Sequence, residues 1–229
     1  QEHRVIQAPP DKRPSILIFV LSADRGLCGA FNSNVIRETK RWAEDQRRTR
    51  DAKLHAVYIG EKAYQALKKE IPTDSSPVAV DAHPTLRHSN LQSAYAIRAF
   101  LDGRYDEVWL IGNRFVSTMV YTTKAMRIFP FAMPLSTEKV SSSDEIIIEP
   151  DPNSLLTSVA RQVANLAIFQ AELSSVASEH AARMLAMDSA TKNLVRMQKE
   201  LIVLRNRARQ AAITNELTEI VSGAESLNN

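Results

Sequence analysis

Residues 153–222 contain neither glycine nor proline, although the 229-residue chain holds six glycines and ten prolines. About 70 consecutive positions without a breaker predict one long helix. Asp151, Asn153 and Ser154 offer caps ahead of it, and Pro152 suits its first turn. Within it, Val159, Val163, Leu166, Phe169, Leu173, Val176, His180, Met184, Met187, Thr191, Leu194, Met197, Leu201, Leu204, Ala208 and Ala211 follow one another in steps of three and four. His180 and Thr191 are the polar interruptions in that row. Such a row is a coiled-coil seam, and its period near 3.5 predicts a left-handed wrap. At 1.5 Å per residue the helix would reach roughly 105 Å. A compact domain of this size is only about 35–40 Å across. The seam therefore needs a partner helix, from this chain or another. A break in "MDSATKN" (187–193) would instead fold the helix into a hairpin.

The chain divides near "EPDPNS", into residues 1–150 and 151–229. All ten prolines lie at or before Pro152, and five of the six glycines at or before Gly112. The first part reads as α/β. "SILIFVLS" (15–22) has the unbroken apolar run of a buried parallel strand. Helix 30–48, strand 53–60, helix 61–70, strand 76–82, helix 91–103 and strand 106–115 follow. Residues 117–131 extend the sheet by a hairpin. An exposed loop over 136–144 leads to a short strand, "EIIIEP". Strands alternating with helices predict a mostly parallel sheet with flanking helices, and the whole chain an α/β domain plus one long C-terminal coiled-coil helix.

Chemistry is sparse. Cys28 is the only cysteine, so an internal disulfide is excluded and a cysteine-ligated metal site is not expected. It reads as a buried small hydrophobe, with a reactive thiol near a helix start as the alternative. His3, His55, His83, His88 and His180 show no metal-ligand spacing. "SADRGLCG" (22–29) lies where a doubly wound sheet can hold a phosphate, but it matches neither G-x-G-x-x-G nor a P-loop. It reads as a tight turn, with Gly26 and Gly29 for backbone freedom and Asp24 and Arg25 for local pairing. No catalytic constellation is visible. A net charge of +3 does not by itself point to nucleic acid. No apolar run approaches the ~20 residues of a membrane span, and no stretch reads as a secretory signal. The chain starts at Gln1, so processing or truncation of that end stays open.

The charge pattern of the long helix is more informative. From Lys192 to Arg209 there are six basic residues (Lys192, Arg196, Lys199, Arg205, Arg207, Arg209) against one acid, Glu200. Beyond Gln210 the sign reverses, with Glu216, Glu219 and Glu225 and no lysine or arginine. A solvated face is one reading. The other is a basic collar facing an acidic protein ring, with a nearly apolar tip held in a sleeve of partner chains.

Three blocks, "SADRGLCGAFNSN" (22–34), "ASEHAARMLAMDSATKN" (177–193) and "NRARQAAITNELTEIVSGA" (206–224), resemble the gamma subunit of F-type ATP synthase in composition and order. The resemblance implies a rotor shaft without catalysis, cofactor or metal. Its implied partners are the alpha and beta subunits of the catalytic ring, the epsilon subunit and the membrane c-ring. It places the protein peripherally, on the cytoplasmic face of a bacterial inner membrane or the equivalent organelle membrane. By motif position, Arg209, Gln210 and Thr214 are expected at the tip. Arg183, Lys192, Arg196, Arg205 and Arg207 are expected in the collar. The family's N-terminal helix is expected ahead of "RPSILIFV", where "QEHRVIQAPPDK" reads instead as a linker. That leaves the seam without the family's partner helix and predicts self-association through the long helices. Two alternatives remain at this stage: a truncated gamma paralogue, and an α/β nucleotide-binding protein with a dimerising helix.

Overall fold

The computed structural model describes residues 9–11, 13–73, 75–131 and 152–227. Four strands, β1 (Ser15–Leu21), β2 (Lys53–Ile59), β3 (Glu107–Phe115) and β4 (Tyr121–Phe129), form one sheet in the order β2-β1-β3-β4. β1 is parallel to both β2 and β3, and β4 is antiparallel to β3. The helices are α1 (Phe31–Arg50), α2 (Glu61–Leu67), α3 (Leu86–Leu101) and α4 (Pro152–Leu227).

The period of two along β1 assigns its side chains to two separate cores. Ile16, Ile18 and Val20 pack with Val35 and Ala43 of α1 and with Ala63 and Leu67 of α2. Leu17, Phe19 and Leu21 pack with Ala96, Ile97 and Phe100 of α3 and with Ala160, Ala164 and Ile168 of α4. The result is a helix–sheet–helix sandwich, because a strand apolar on both faces must be covered on both.

The α/β class and the β3–β4 hairpin agree with the sequence reading, and three details differ. Residues 76–82 are not a strand. Among them only Val78 bridges to Ile59. Pro77 has no N–H for a ladder, and the Val80 N–H is taken by the Asp24 carboxylate. α3 begins at Leu86 rather than 91, because Thr85 is its N-cap and accepts from the His88 N–H. α2 stops at Leu67, three residues short of the expected end. The strand expected at 145–150 and the loop at 136–144 lie outside the described residues.

Two compact units emerge, one ending at Met184 and the other starting at Leu185. α4 contributes to both. Residues 187–193 are helical throughout, so the hairpin alternative does not form. The Thr191 hydroxyl bonds back to the Met187 carbonyl at 2.9 Å, and Lys192 pairs with Asp188 at 2.7 Å.

Within the first unit, α4 buries a face that the seam does not predict. Ala160, Ala164, Ile168, Glu172, Ser175, Ser178 and Ala182 are buried. Seam residues Val159, Val163, Leu166, Leu173 and Met184 are exposed. At 3.6 residues per turn the two sets lie on opposite sides of the helix. The buried side is built mostly of small residues, and the larger apolar ones are exposed.

Candidate partner-binding surface

The loop after β1 is built for packing. Both Asp24 carboxylate oxygens accept backbone N–H bonds, from Glu61 at the start of α2 and from Val80, each at 3.0 Å. Asp24 therefore does not pair with Arg25, as the sequence reading expected, and Arg25 is exposed. The left-handed conformation of this turn falls on Leu27 (φ 62°) and Gly29 (φ 56°), not on Gly26. Gly60 is the more constrained glycine: at φ 99° a Cβ would overlap the Ser22 carbonyl. Cys28 is buried beside Phe31 and Ala182. Burial, reinforced by Glu179 and opposed by Arg183, pushes its thiol above the ordinary range. The inert reading of Cys28 is the one its surroundings favour. Among the described residues no group of three or more histidine, cysteine or acidic side chains could hold a metal ion.

The expected partner residues divide between the two units. Arg183 belongs to the first, half-buried and paired with Glu179 at 2.6 Å. The others lie in the second unit, where the side chains from Met187 to Ala224 are exposed except Asn206. Lys192 is paired with Asp188, and Arg196 reaches Glu200 at 3.9 Å. Arg205 contacts Asn206 at 3.5 Å. No carboxylate among the described residues pairs with Lys199, Arg207 or Arg209. Thr214 turns its hydroxyl back onto the Gln210 carbonyl at 2.9 Å, and Thr218 does the same to Thr214. Hydroxyls so occupied leave the helix presenting their methyl groups. Leu201 and Leu204 are each more than three-fifths exposed, and Ile213, Leu217 and Ile220 are exposed as well. Apolar surface of that extent beside unpaired cations makes this stretch the candidate interaction surface. The residues that sequence reasoning missed are polar ones on the packed part of α4: Glu172, which accepts from Ser89 of α3, and Ser174, which holds β3. Ser174 accepts from the Phe115 N–H at 2.7 Å. Hydroxyls spaced along a helix carry no distinctive sequence signal.

An α/β unit together with one long helix that exposes an apolar seam has the architecture of a stalk-type subunit. The sequence model of the ATP synthase family matches residues 1–227. The ATP synthase gamma chain of Geotalea daltonii is 38% identical over 211 residues, covering 92% of this chain and 73% of the relative. That of Chlorobium phaeobacteroides is 36% identical over 227 residues, covering 95% and 75%. The fold is similar to chains in two solved structures. One is the central stalk/c-ring of Tetrahymena thermophila mitochondrial ATP synthase (TM-score 0.61, 24% identity, 81% of this chain and 78% of that one). The other is the OSCP/F1/c-ring assembly of Euglena gracilis mitochondrial ATP synthase (TM-score 0.69, 17% identity, 98% and 79%). The chain belongs to the ATP synthase gamma chain family, the non-catalytic central-stalk subunit of a membrane-associated complex. No helix among the described residues is long and apolar enough to cross a membrane.

Proposed function

We propose that this chain couples ion-driven rotation to ATP synthesis and hydrolysis by seating the C-terminal part of α4 inside a ring of alpha and beta subunits. Residues 1–150 act as the foot domain and 151–229 as the shaft. Arg209, Gln210 and Thr214 form the contact tip. Arg183, Lys192, Arg196, Arg205 and Arg207 form a collar against acidic surfaces of the ring. The foot meets the epsilon subunit and the membrane c-ring, which holds the protein peripherally on the cytoplasmic face of its membrane or the organelle equivalent.

The observation that carries this reading is the run of exposed apolar and cationic side chains after Met187. A lone helix in water gains little from such a pattern, since most helix stability in proteins comes from burying an apolar face. The test is to mix the chain with separately purified alpha and beta subunits and size the product by light scattering. One copy of this chain in a six-subunit ring is expected. A stable homodimer with no ring complex would overturn the shaft role and favour self-association through α4.

A further inference from the structure

The contact between α3 and α4 holds a buried acid that partner binding does not use. Glu172 is 5% exposed on the sheet-facing side of α4. Its Oε2 accepts from the Ser89 hydroxyl of α3 at 2.6 Å. Its Oε1 is buried without a partner, and so are both amide atoms of Gln92, one turn further along α3. Gln92 lies beside the same carboxyl and favours its charged form, although neither of its amide atoms is in hydrogen-bonding geometry. A cavity of about 10 Å³ adjoins the carboxyl, lined by Ser22 just after β1, by Asp81, Pro84 and His88, and by Ser175 of α4. The charged or titratable groups facing Glu172 are therefore His88 and Asp81. A cationic His88 favours the carboxylate and Asp81 opposes it.

We infer that Glu172 is a proton-sensitive latch between α3 and α4, closed when Glu172 is the neutral acid and weakened when it ionises. As the acid, Oε1–H can donate to the Gln92 carbonyl oxygen while Oε2 still accepts from Ser89. That satisfies two of the three unpartnered atoms at once. When the proton leaves for solvent, the carboxylate is left with neutral donors alone, the Ser89 hydroxyl and at most a Gln92 amide N–H, and a charge buried without an ion pair is in a costly state. Burial raises the Glu172 carboxyl above its ordinary value, more than Ser89, His88 and Gln92 together lower it. A group raised on folding contributes stability that is complete below its unfolded value, about 4.3. That contribution is lost as pH rises through the folded value. The latch therefore closes on the acid side, and it acts on the stretch of α4 that anchors the helix to the sheet.

Hydrogen exchange of the full chain at about pH 5 and about pH 8, corrected for intrinsic rates, tests this directly. Protection of 89–100 and 160–178 is expected to fall together by about tenfold at the higher pH. β1 and β2 should keep theirs. In Glu172→Gln, which cannot ionise, that pH dependence should vanish. Unchanged protection in the unaltered chain overturns the latch, and that arm needs no variant to fold. Loss spread evenly over the sheet, or the same pH dependence in Glu172→Gln, overturns it as well.

Discussion

Arg50, in the last turn of α1, holds Glu107, the first residue of β3, through a 2.5 Å contact across 57 positions of chain. Glu107 has no solvent exposure, and its other oxygen accepts from the Trp109 indole N–H at 2.6 Å. Trp109 packs in turn against Trp42 of α1, ring centroids 5.1 Å apart. A buried carboxylate of this kind is more costly to orphan than to replace. Arg50→Ala is expected to destabilise the first unit by about 3–5 kcal/mol. Glu107→Gln, which leaves the half-buried Arg50 near solvent, should cost clearly less. Urea unfolding of the two variants checks the order, and equal losses would show that the charge is not what matters.

The two faces of α4 make a paired prediction. Ala164 is fully buried against the sheet, so Ala164→Leu should overpack and destabilise by about 1–3 kcal/mol. Leu166, two residues on, is exposed in the isolated chain, and Leu166→Ala should change its stability by no more than about 0.5 kcal/mol. In a complex that covers the seam, Leu166→Ala should weaken assembly instead. Thermal unfolding of the free chain, set beside a titration with its partners, separates the two effects. A large loss from Leu166→Ala in the free chain would mean that the seam is already covered.

Asp24 gives a local test of the loop after β1. Its two carboxylate bonds tie Glu61 and Val80 to the end of β1. Asp24→Ala should cost about 1–2 kcal/mol, the range for removing a helix-end acceptor. The loss should appear first as increased amide exchange in 61–67 and around Val80. A variant whose exchange is altered only at Arg25–Gly29 would contradict the assignment.

These residues also show what could be read without coordinates. β1 was legible because a run of seven mostly apolar residues has few alternatives to a doubly covered strand. α4 was legible because no breaker interrupts it. Its orientation on the sheet was not. Periodicity detects large apolar side chains, and those form the exposed seam, whereas the packed face is mostly small, with Ala160, Ala164, Ser175 and Ser178 around Ile168 and Glu172. The 76–82 segment misled for a related reason. Its β-favouring residues were visible, but the competing acceptor, Asp24, lies more than fifty positions away. The collar was legible as charge. A partner for it is not written in one chain's periodicity.

Cys28 separates burial from reactivity. It is 2% exposed, and desolvation holds its thiol in the neutral form at neutral pH. Alkylation by iodoacetamide at neutral pH should therefore be far slower in the folded chain than in urea. It should accelerate as pH rises and the thiolate forms. Equal rates in the two states would show that the loop opens freely around Gly29 and that the buried arrangement is not maintained in solution.

The collar makes the prediction that bears most directly on coupling. Arg205 and Arg207 are exposed, and no carboxylate among the described residues neutralises either. Long-range attraction between exposed charges acts mainly on the encounter rate, and it is screened beyond ~10 Å at 0.1 M salt. Changing both to Glu should therefore slow association with the alpha and beta subunits strongly at low salt and weakly at high salt, while leaving the stability of the first unit unchanged. Arg209→Ala with Gln210→Ala alters the proposed tip instead, so it should raise the dissociation rate at every salt concentration. Stopped-flow association across a salt series distinguishes the two. A salt-independent effect of the double Glu variant would remove the electrostatic role from the collar, and unchanged dissociation of the tip variant would remove Arg209 and Gln210 from the contact.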